Sequence, residues 1–109
     1  FYGSVPVTRA MTPEEIQGEY EWETGNVIVE RFADLNPMDF PAVLVNDHGP
    51  FAWNVSGAKA VEYALALEAV ADIALKTLSL TPQAAPVAKE LLGKHFLRKH
   101  GKGAYYGQK

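Results

Sequence analysis

The 109-residue chain carries ten lysine and arginine residues against thirteen aspartate and glutamate residues, for a net charge of −3. This balance argues against a nucleic-acid partner, and no apolar run is long enough to predict a membrane span. With 48% hydrophobic and 21% charged residues, the composition is typical of one soluble globular domain or part of one. The absence of cysteine excludes disulfides and thiolate zinc sites, and it fits a reducing cytoplasm.

The first third of the chain predicts a strand and then a capped helix. Residues 4–8 favour a short strand, and the proline among them places this strand near a sheet edge. Thr12-Pro13-Glu14-Glu15 is typical of a helix start, with a threonine cap, proline at the first helical position and a glutamate that closes a capping box. We expect one helix over residues 13–32. Gly18 and Gly25-Asn26 both weaken this helix, and a break into two helices is predicted at Gly25-Asn26.

A strand–turn–strand unit is predicted at the centre of the chain. The apolar segments favour strands near residues 42–46 and 51–54. Between them Asn46-Asp47-His48-Gly49-Pro50 is a cluster of turn-forming residues, which places His48 at the tip. Rigid flanking strands can aim such a side chain into a site. From these residues alone, His48 is either a turn histidine bonded to backbone or a metal-binding or catalytic group.

The second half of the chain predicts two helices. Ser56 caps a helix over residues 57–79 that is apolar around most of its circumference. Its polar residues form one narrow stripe, which consists of Glu68, Asp72, Lys76 and Ser79. So narrow a stripe predicts that the helix packs on more than one side: against a sheet, and on another side against a further element such as a second subunit. A last helix over residues 87–99 should end at Gly101.

The end of the last helix is rich in cationic and histidine side chains. Cations there complement the helix dipole, which is a sufficient structural reason for the cluster; its members are Lys94, His95, Arg98, Lys99 and His100. His95 and His100 are five positions apart, so they lie on different faces of a helix and cannot both bind one ion. The Tyr105-Tyr106 pair in the glycine-flanked tail favours an interface or a frayed end over catalysis.

Several long motifs resemble those of the class II, zinc-dependent sugar-phosphate aldolases and epimerases. The resemblance covers essentially the whole chain and corresponds to the C-terminal half of such a protein. Its main motifs are Phe1-Tyr2-Gly3, Thr8-Arg9-Ala10-Met11-Thr12, Gly18-Glu19-Tyr20-Glu21-Trp22-Glu23-Thr24-Gly25-Asn26-Val27-Ile28-Val29-Glu30, His48-Gly49-Pro50-Phe51-Ala52-Trp53, Lys94-His95-Phe96-Leu97-Arg98-Lys99-His100-Gly101 and Ala104-Tyr105-Tyr106-Gly107-Gln108. Asn54 departs from the pattern, where the family usually has glycine, and it is expected to alter that turn locally.

The resemblance implies an α/β fold, an α-β-α sandwich with a mainly antiparallel central sheet flanked by helices. Residues 1–109 would form the C-terminal portion of one such domain. By this resemblance His48 is one of three histidines on a catalytic Zn²⁺, and Tyr106 is a catalytic tyrosine. His95 and Arg98 would lie near the substrate. The other zinc ligands, the phosphate-binding residues and a catalytic aspartate would lie before Phe1, so these residues alone should be inactive.

The implied reaction is the interconversion of L-ribulose 5-phosphate and D-xylulose 5-phosphate by retro-aldol cleavage and re-formation of the C3–C4 bond. The resemblance also implies a cytoplasmic homotetramer in which Tyr106 reaches across a subunit interface. Two alternatives stay open. One is a sugar-phosphate aldolase similar to L-fuculose-phosphate aldolase, although the Tyr105-Tyr106-Gly107-Gln108 ending favours epimerisation. The other is a non-catalytic folded segment whose helices serve assembly.

Overall fold

A computed structural model describes residues 1–105, which form four helices and one two-stranded sheet. The central strands fall close to the predicted positions, with the second strand beginning two residues earlier than expected. None of the helices in this part of the chain combines the length and apolar character that a bilayer crossing requires. The elements are α1 (Pro13–Gln17), α2 (Tyr20–Arg31), β1 (Ala42–Val45), β2 (Gly49–Ala52), α3 (Gly57–Leu80) and α4 (Lys89–His100).

The predicted first helix is two helices, and the break lies at Gly18 rather than at Gly25-Asn26. The Thr12 side chain accepts a hydrogen bond from the Glu15 backbone and the Glu15 carboxylate accepts one from Thr12 N, so the predicted capping box is confirmed. At Gly18 the backbone turns so tightly that an added Cβ would lie 3.0 Å from the Glu14 carbonyl oxygen. Gly25 lies inside the continuous helix α2, so the predicted break there is wrong.

The sheet consists of an antiparallel hairpin with one parallel neighbour. Strands β1 and β2 pair from Ala42 opposite Ala52 to Val45 opposite Gly49. Residues 4–8 do not form the predicted strand: they make a single parallel bridge between Val7 and Leu44. A proline removes one ladder donor from this segment, which limits its pairing. The described residues therefore show a hairpin covered by helices, and the full α-β-α sandwich is not seen among them.

The core lies where α2 and α3 cover the hairpin. Val27 of α2, Leu67 of α3 and the β1 residue Val43 are buried, with 1%, 5% and 0% of their surface exposed. The backbone of residues 6–8 lies alongside β1 in the plane of the sheet. Leu44 N donates to Pro6 O at 2.9 Å and Thr8 N donates to Leu44 O at 3.0 Å. The hairpin is thus fixed from both sides, and its turn is left to project.

Helix α3 begins at Ser56, whose side chain accepts a hydrogen bond from Lys59 N, as predicted. The predicted packing on more than one side is not found among residues 1–105, where α3 packs on the hairpin strands and buries only Leu67. Its other faces stay exposed although they are apolar, and their large side chains include Val61, Leu65, Ile73, Leu75, Leu78 and Leu80. In the polar stripe, Lys76 and Asp72 form an ion pair at 2.6 Å.

Helix α4 begins two residues later than predicted and ends at the expected position. Its Phe96 ring stacks on Tyr2 with 4.2 Å between ring centres. Gly101 N donates to Leu97 O at 2.8 Å, and an added Cβ at Gly101 would lie 2.7 Å from that oxygen. A glycine is therefore required at this helix end, which explains why the sequence signal was reliable.

Asn54 adjusts the chain after β2 without left-handed geometry. Its side-chain oxygen accepts a hydrogen bond from Val55 N at 2.8 Å. In the described range Asp47 is the one non-glycine residue with a positive φ, so Asn54 has an ordinary backbone conformation. The next residues lead into the Ser56 cap of α3.

Candidate functional site

His48 lies at the tip of the β1–β2 hairpin, as predicted from the sequence. Its backbone N–H donates to Val45 O at 3.0 Å and closes the turn. Asp47 has φ +56° and Gly49 has φ +148°, conformations that aspartate tolerates and that glycine adopts readily. The backbone, and not the imidazole, therefore makes the turn bond, which leaves the His48 ring available for another role.

The His48 ring is flanked by two aromatic side chains from different elements. Phe51 of β2 stacks on it with 5.3 Å between ring centres and 24° between ring planes. Tyr20, the first residue of α2, lies at 6.3 Å and is tilted by 38°. His48 is nevertheless an exposed residue. Within residues 1–105 no hydrogen bond engages either ring nitrogen.

An open cleft of about 250 Å³ runs beside His48 between the hairpin tip and the start of α2. Its walls combine the apolar faces of Ile28 and Phe51 with the polar groups of Tyr20 and Glu21. An added Cβ at Gly25 would meet no atom within 4 Å, so this residue lies beside open space in the cleft wall. The cleft thus offers an imidazole, a phenol and a carboxylate along an apolar floor.

The donor set for a zinc ion is incomplete in the described part of the chain. Zinc in a cysteine-free site takes three or four histidine and carboxylate ligands. Residues 1–105 contain no group of three such side chains placed to hold a metal. The exposed His48 imidazole fits one ligand position, and the remaining ligands would have to come from elsewhere. Its role as a metal ligand stays a prediction.

His95 and Arg98 line a different cleft, of about 230 Å³, on α4. No residue is shared between this cleft and the one beside His48. His100 in the same cleft packs on Phe96, with 4.6 Å between ring centres. The structure therefore does not bring His95 and Arg98 into the His48 cleft, and their proximity to a substrate stays a prediction.

The predicted catalytic residue Tyr106 lies outside the described residues. Its neighbour Tyr105 is exposed, and Tyr105 N donates to the Arg98 carbonyl oxygen at 2.8 Å. The described chain thus turns back against the end of α4 just before Tyr106.

Arg9 makes an ion-pair link between helices that the sequence analysis did not predict. Its guanidinium donates to Glu15 at 2.8 Å and to Glu30 at 3.1 Å, and so it joins α1 to α2. This pairing holds the pKa of the Glu15 carboxyl at about 2 and raises the pKa of Arg9. The ion pair between Arg9 and Glu30 cannot be predicted from residue types, because the two residues are 21 positions apart in the sequence. The link ties α1 to the C-terminal end of α2.

The sequence matches a known family over most of its length. The family described as the class II aldolase and adducin N-terminal domain matches residues 1–75. The chain belongs to this family. The matched region contains α1 to the larger part of α3 and includes the whole hairpin that carries His48.

Curated members of this family include enzymes that are similar to the chain over its whole length. The chain is 46% identical over 109 residues to the L-ribulose-5-phosphate 4-epimerase UlaF of Salmonella paratyphi C (strain RKS4594). The identity to the enzyme of the same name from Salmonella choleraesuis (strain SC-B67) is also 46% over 109 residues. In both comparisons the whole chain is covered and 48% of the relative, so the chain spans about half the length of these curated relatives.

Proposed function

We propose that the protein to which this chain belongs interconverts L-ribulose 5-phosphate and D-xylulose 5-phosphate. The observation that carries this proposal is the 46% identity to L-ribulose-5-phosphate 4-epimerases over all 109 residues. Membership of the class II aldolase family supports a reaction in which a carbon–carbon bond next to a carbonyl breaks and re-forms. The substrate class is therefore a sugar phosphate.

In this proposal His48 is one ligand of a catalytic Zn²⁺. A ring at the edge of an open cleft, with both nitrogens free of hydrogen bonds from residues 1–105, supports this assignment. A bound zinc ion would supply Lewis acidity toward a carbonyl oxygen. The contribution of this chain is to present an imidazole ligand from a hairpin tip.

We assign Tyr106 the role of general acid and base at the aldehyde formed by cleavage, and His95 and Arg98 contacts with the substrate. A phenol can transfer protons in this way when its pKa is lowered toward neutrality by neighbouring cations. The basic residues at the end of α4 are close to Tyr106 in sequence and support such an environment. Replacing Tyr106 by phenylalanine should lower kcat by about two to four orders of magnitude.

The 109-residue chain on its own should show no epimerase activity, because its described part supplies one metal ligand. The test is a coupled assay for D-xylulose 5-phosphate with the purified chain and with the natural protein, each supplied with Zn²⁺. We expect turnover by the natural protein alone. Turnover of L-ribulose 5-phosphate by the isolated chain would refute this part of the proposal.

A class II aldolase that stops after cleavage is the competing activity, and product analysis separates the two. Epimerisation yields D-xylulose 5-phosphate, whereas cleavage without recombination releases dihydroxyacetone and glycolaldehyde phosphate. Accumulation of the two cleavage products in place of the epimer would replace the epimerase proposal by the aldolase one.

Assembly into a homo-oligomer, expected to be a tetramer with active sites at subunit interfaces, is the remaining part of the proposal. Support comes from α3, where large apolar side chains such as Leu65 and Ile73 are 68% and 62% exposed. Apolar surface of this extent is typical of faces that are covered in the working protein.

A further inference from the structure

We propose that Phe51 and Tyr20 are positioning residues for His48, and that they hold its imidazole plane in one orientation at the hairpin tip. The proposal rests on the proposed function only where it assigns Zn²⁺ to that ring. The orientation itself follows from the packing of three rings, and it can be measured without metal or substrate.

Phe51 provides the more direct contact. Its ring lies nearly parallel to the imidazole, at 5.3 Å between centres. Its backbone is fixed in the ladder opposite Val43, which is completely buried. A ring anchored on the sheet therefore covers one face of His48, and rotation of the imidazole about χ2 would break the stacking. Offset aromatic stacking of this kind favours one relative orientation of two rings.

Tyr20 limits the ring from a second element. It is the first residue of α2, and its backbone is held at both groups: Tyr20 N donates to Gly18 O at 3.0 Å and Tyr20 O accepts from the Thr24 hydroxyl at 2.8 Å. The break at Gly18 comes just before this residue and separates α1 from α2. His48 therefore has one aromatic neighbour on the strand β2 and a second, more distant one on the helix α2.

This arrangement leaves both imidazole nitrogens available. Metal-binding histidines are usually oriented by a hydrogen bond from the ring nitrogen that does not bind the metal. Within residues 1–105 no such bond is made, and in this proposal the contacts with Phe51 and Tyr20 perform the same task. A pre-oriented ring loses less conformational freedom on binding, so loss of the packing should weaken metal binding without removing a ligand.

The spectroscopic test is performed on the natural protein after removal of metal with a chelator. In the unmodified chain, NMR should show nuclear Overhauser contacts between the His48 and Phe51 ring protons and His48 signals displaced by the Phe51 ring current. Phe51→Leu should remove the displacement and Phe51→Tyr should retain it. Identical His48 signals in Phe51→Leu and in the unmodified chain would overturn the proposal, whatever the metal content of the protein.

The functional test measures Zn²⁺ affinity of the natural protein in competition with a chelator. Phe51→Leu should raise the Zn²⁺ dissociation constant on the order of tenfold, and Phe51→Tyr should restore it. Trp22→Leu is the matched control, because Trp22 is an aromatic residue of α2 that is 69% exposed, whereas the described ring neighbours of His48 are Tyr20 and Phe51. Equal affinities of Phe51→Leu and Trp22→Leu would contradict the positioning role. If Phe51→Leu unfolds, Tyr20→Leu is measured in the same way.

Discussion

At the scale of single residues, Arg9 shows how one exposed side chain can join two helices. It binds two carboxylates, Glu15 of α1 and Glu30 of α2, with 42% of its own side chain exposed. Isolated surface ion pairs contribute little to stability, but a shared guanidinium with two partners restricts both helices at once. The two contacts join α1 to the C-terminal end of α2.

The Arg9–Glu15 pair predicts a specific pH dependence of stability. The pKa of Glu15 is lowered from 4.5 to about 2, first through the hydrogen bonds from Arg9 and then through Thr12 N. Between those pH values the unfolded chain binds a proton at Glu15 that the folded chain does not. The free energy of unfolding should therefore fall as pH decreases from about 4.5 toward 2, and this contribution is fully present above that range.

Arg9→Gln should remove most of this pH dependence, because the Glu15 pKa then returns toward its usual value. The measurement is urea denaturation at several pH values between about 2.5 and 5. Arg31→Gln is the control, since Arg31 forms a looser pair with Asp34 at 3.8 Å. An unchanged pH slope in Arg9→Gln would contradict the assigned cause.

At the scale of elements, the two glycines of the first helical region have opposite roles. An added Cβ at Gly18 would lie 3.0 Å from Glu14 O, whereas one at Gly25 would meet nothing within 4 Å. Gly18→Ala should therefore lower the free energy of unfolding by about 1 kcal/mol or more. Gly25→Ala should raise it by about 0.5–1 kcal/mol, because alanine favours a helix interior. Thermal unfolding of both variants tests this pair, and a reversed order would show that the break is not set at Gly18.

Local signals predict the helix caps and the hairpin correctly, and they fail where distant residues decide. Thr12, Ser56 and Gly101 act through bonds to neighbours within a few positions, so their types are sufficient evidence. The position of the helix break is different, because Gly18 and Gly25 are equivalent to a propensity scale. The contact of Arg9 with Glu30 and the packing of Val27 favour continuity through Gly25.

At the scale of the whole molecule, the exposed faces of α3 predict association. Sedimentation equilibrium of the natural protein should give an oligomer, and Leu65→Glu together with Ile73→Glu should weaken it or prevent folding if those faces are covered. Lys76→Glu is the control on the exposed polar stripe. A stable monomer of the unmodified protein at micromolar concentration would contradict the homo-oligomer.

The candidate site could be predicted from the sequence at one residue and not in its surroundings. His48 was placed correctly at a hairpin tip because turn formers between two apolar segments have few other solutions. The stacked Phe51 lies three positions away and was within reach of such reasoning. The contact between Tyr20 and His48 could not be predicted in this way, because it depends on where α2 begins. Tyr106 lies outside the described residues.

The central claim is that His48 holds a catalytic metal in a sugar-phosphate epimerase. The most direct measurement is bound Zn²⁺ per subunit and L-ribulose 5-phosphate turnover for His48→Asn in the natural protein, with His100→Asn as the control histidine. We expect the His48→Asn protein to bind no Zn²⁺ and its kcat/KM to fall by more than about 100-fold. This decrease is larger than the one that follows loss of a residue that only orients a metal ligand. The His100→Asn protein should keep both. A His48→Asn protein with full zinc content and unchanged turnover would contradict the account.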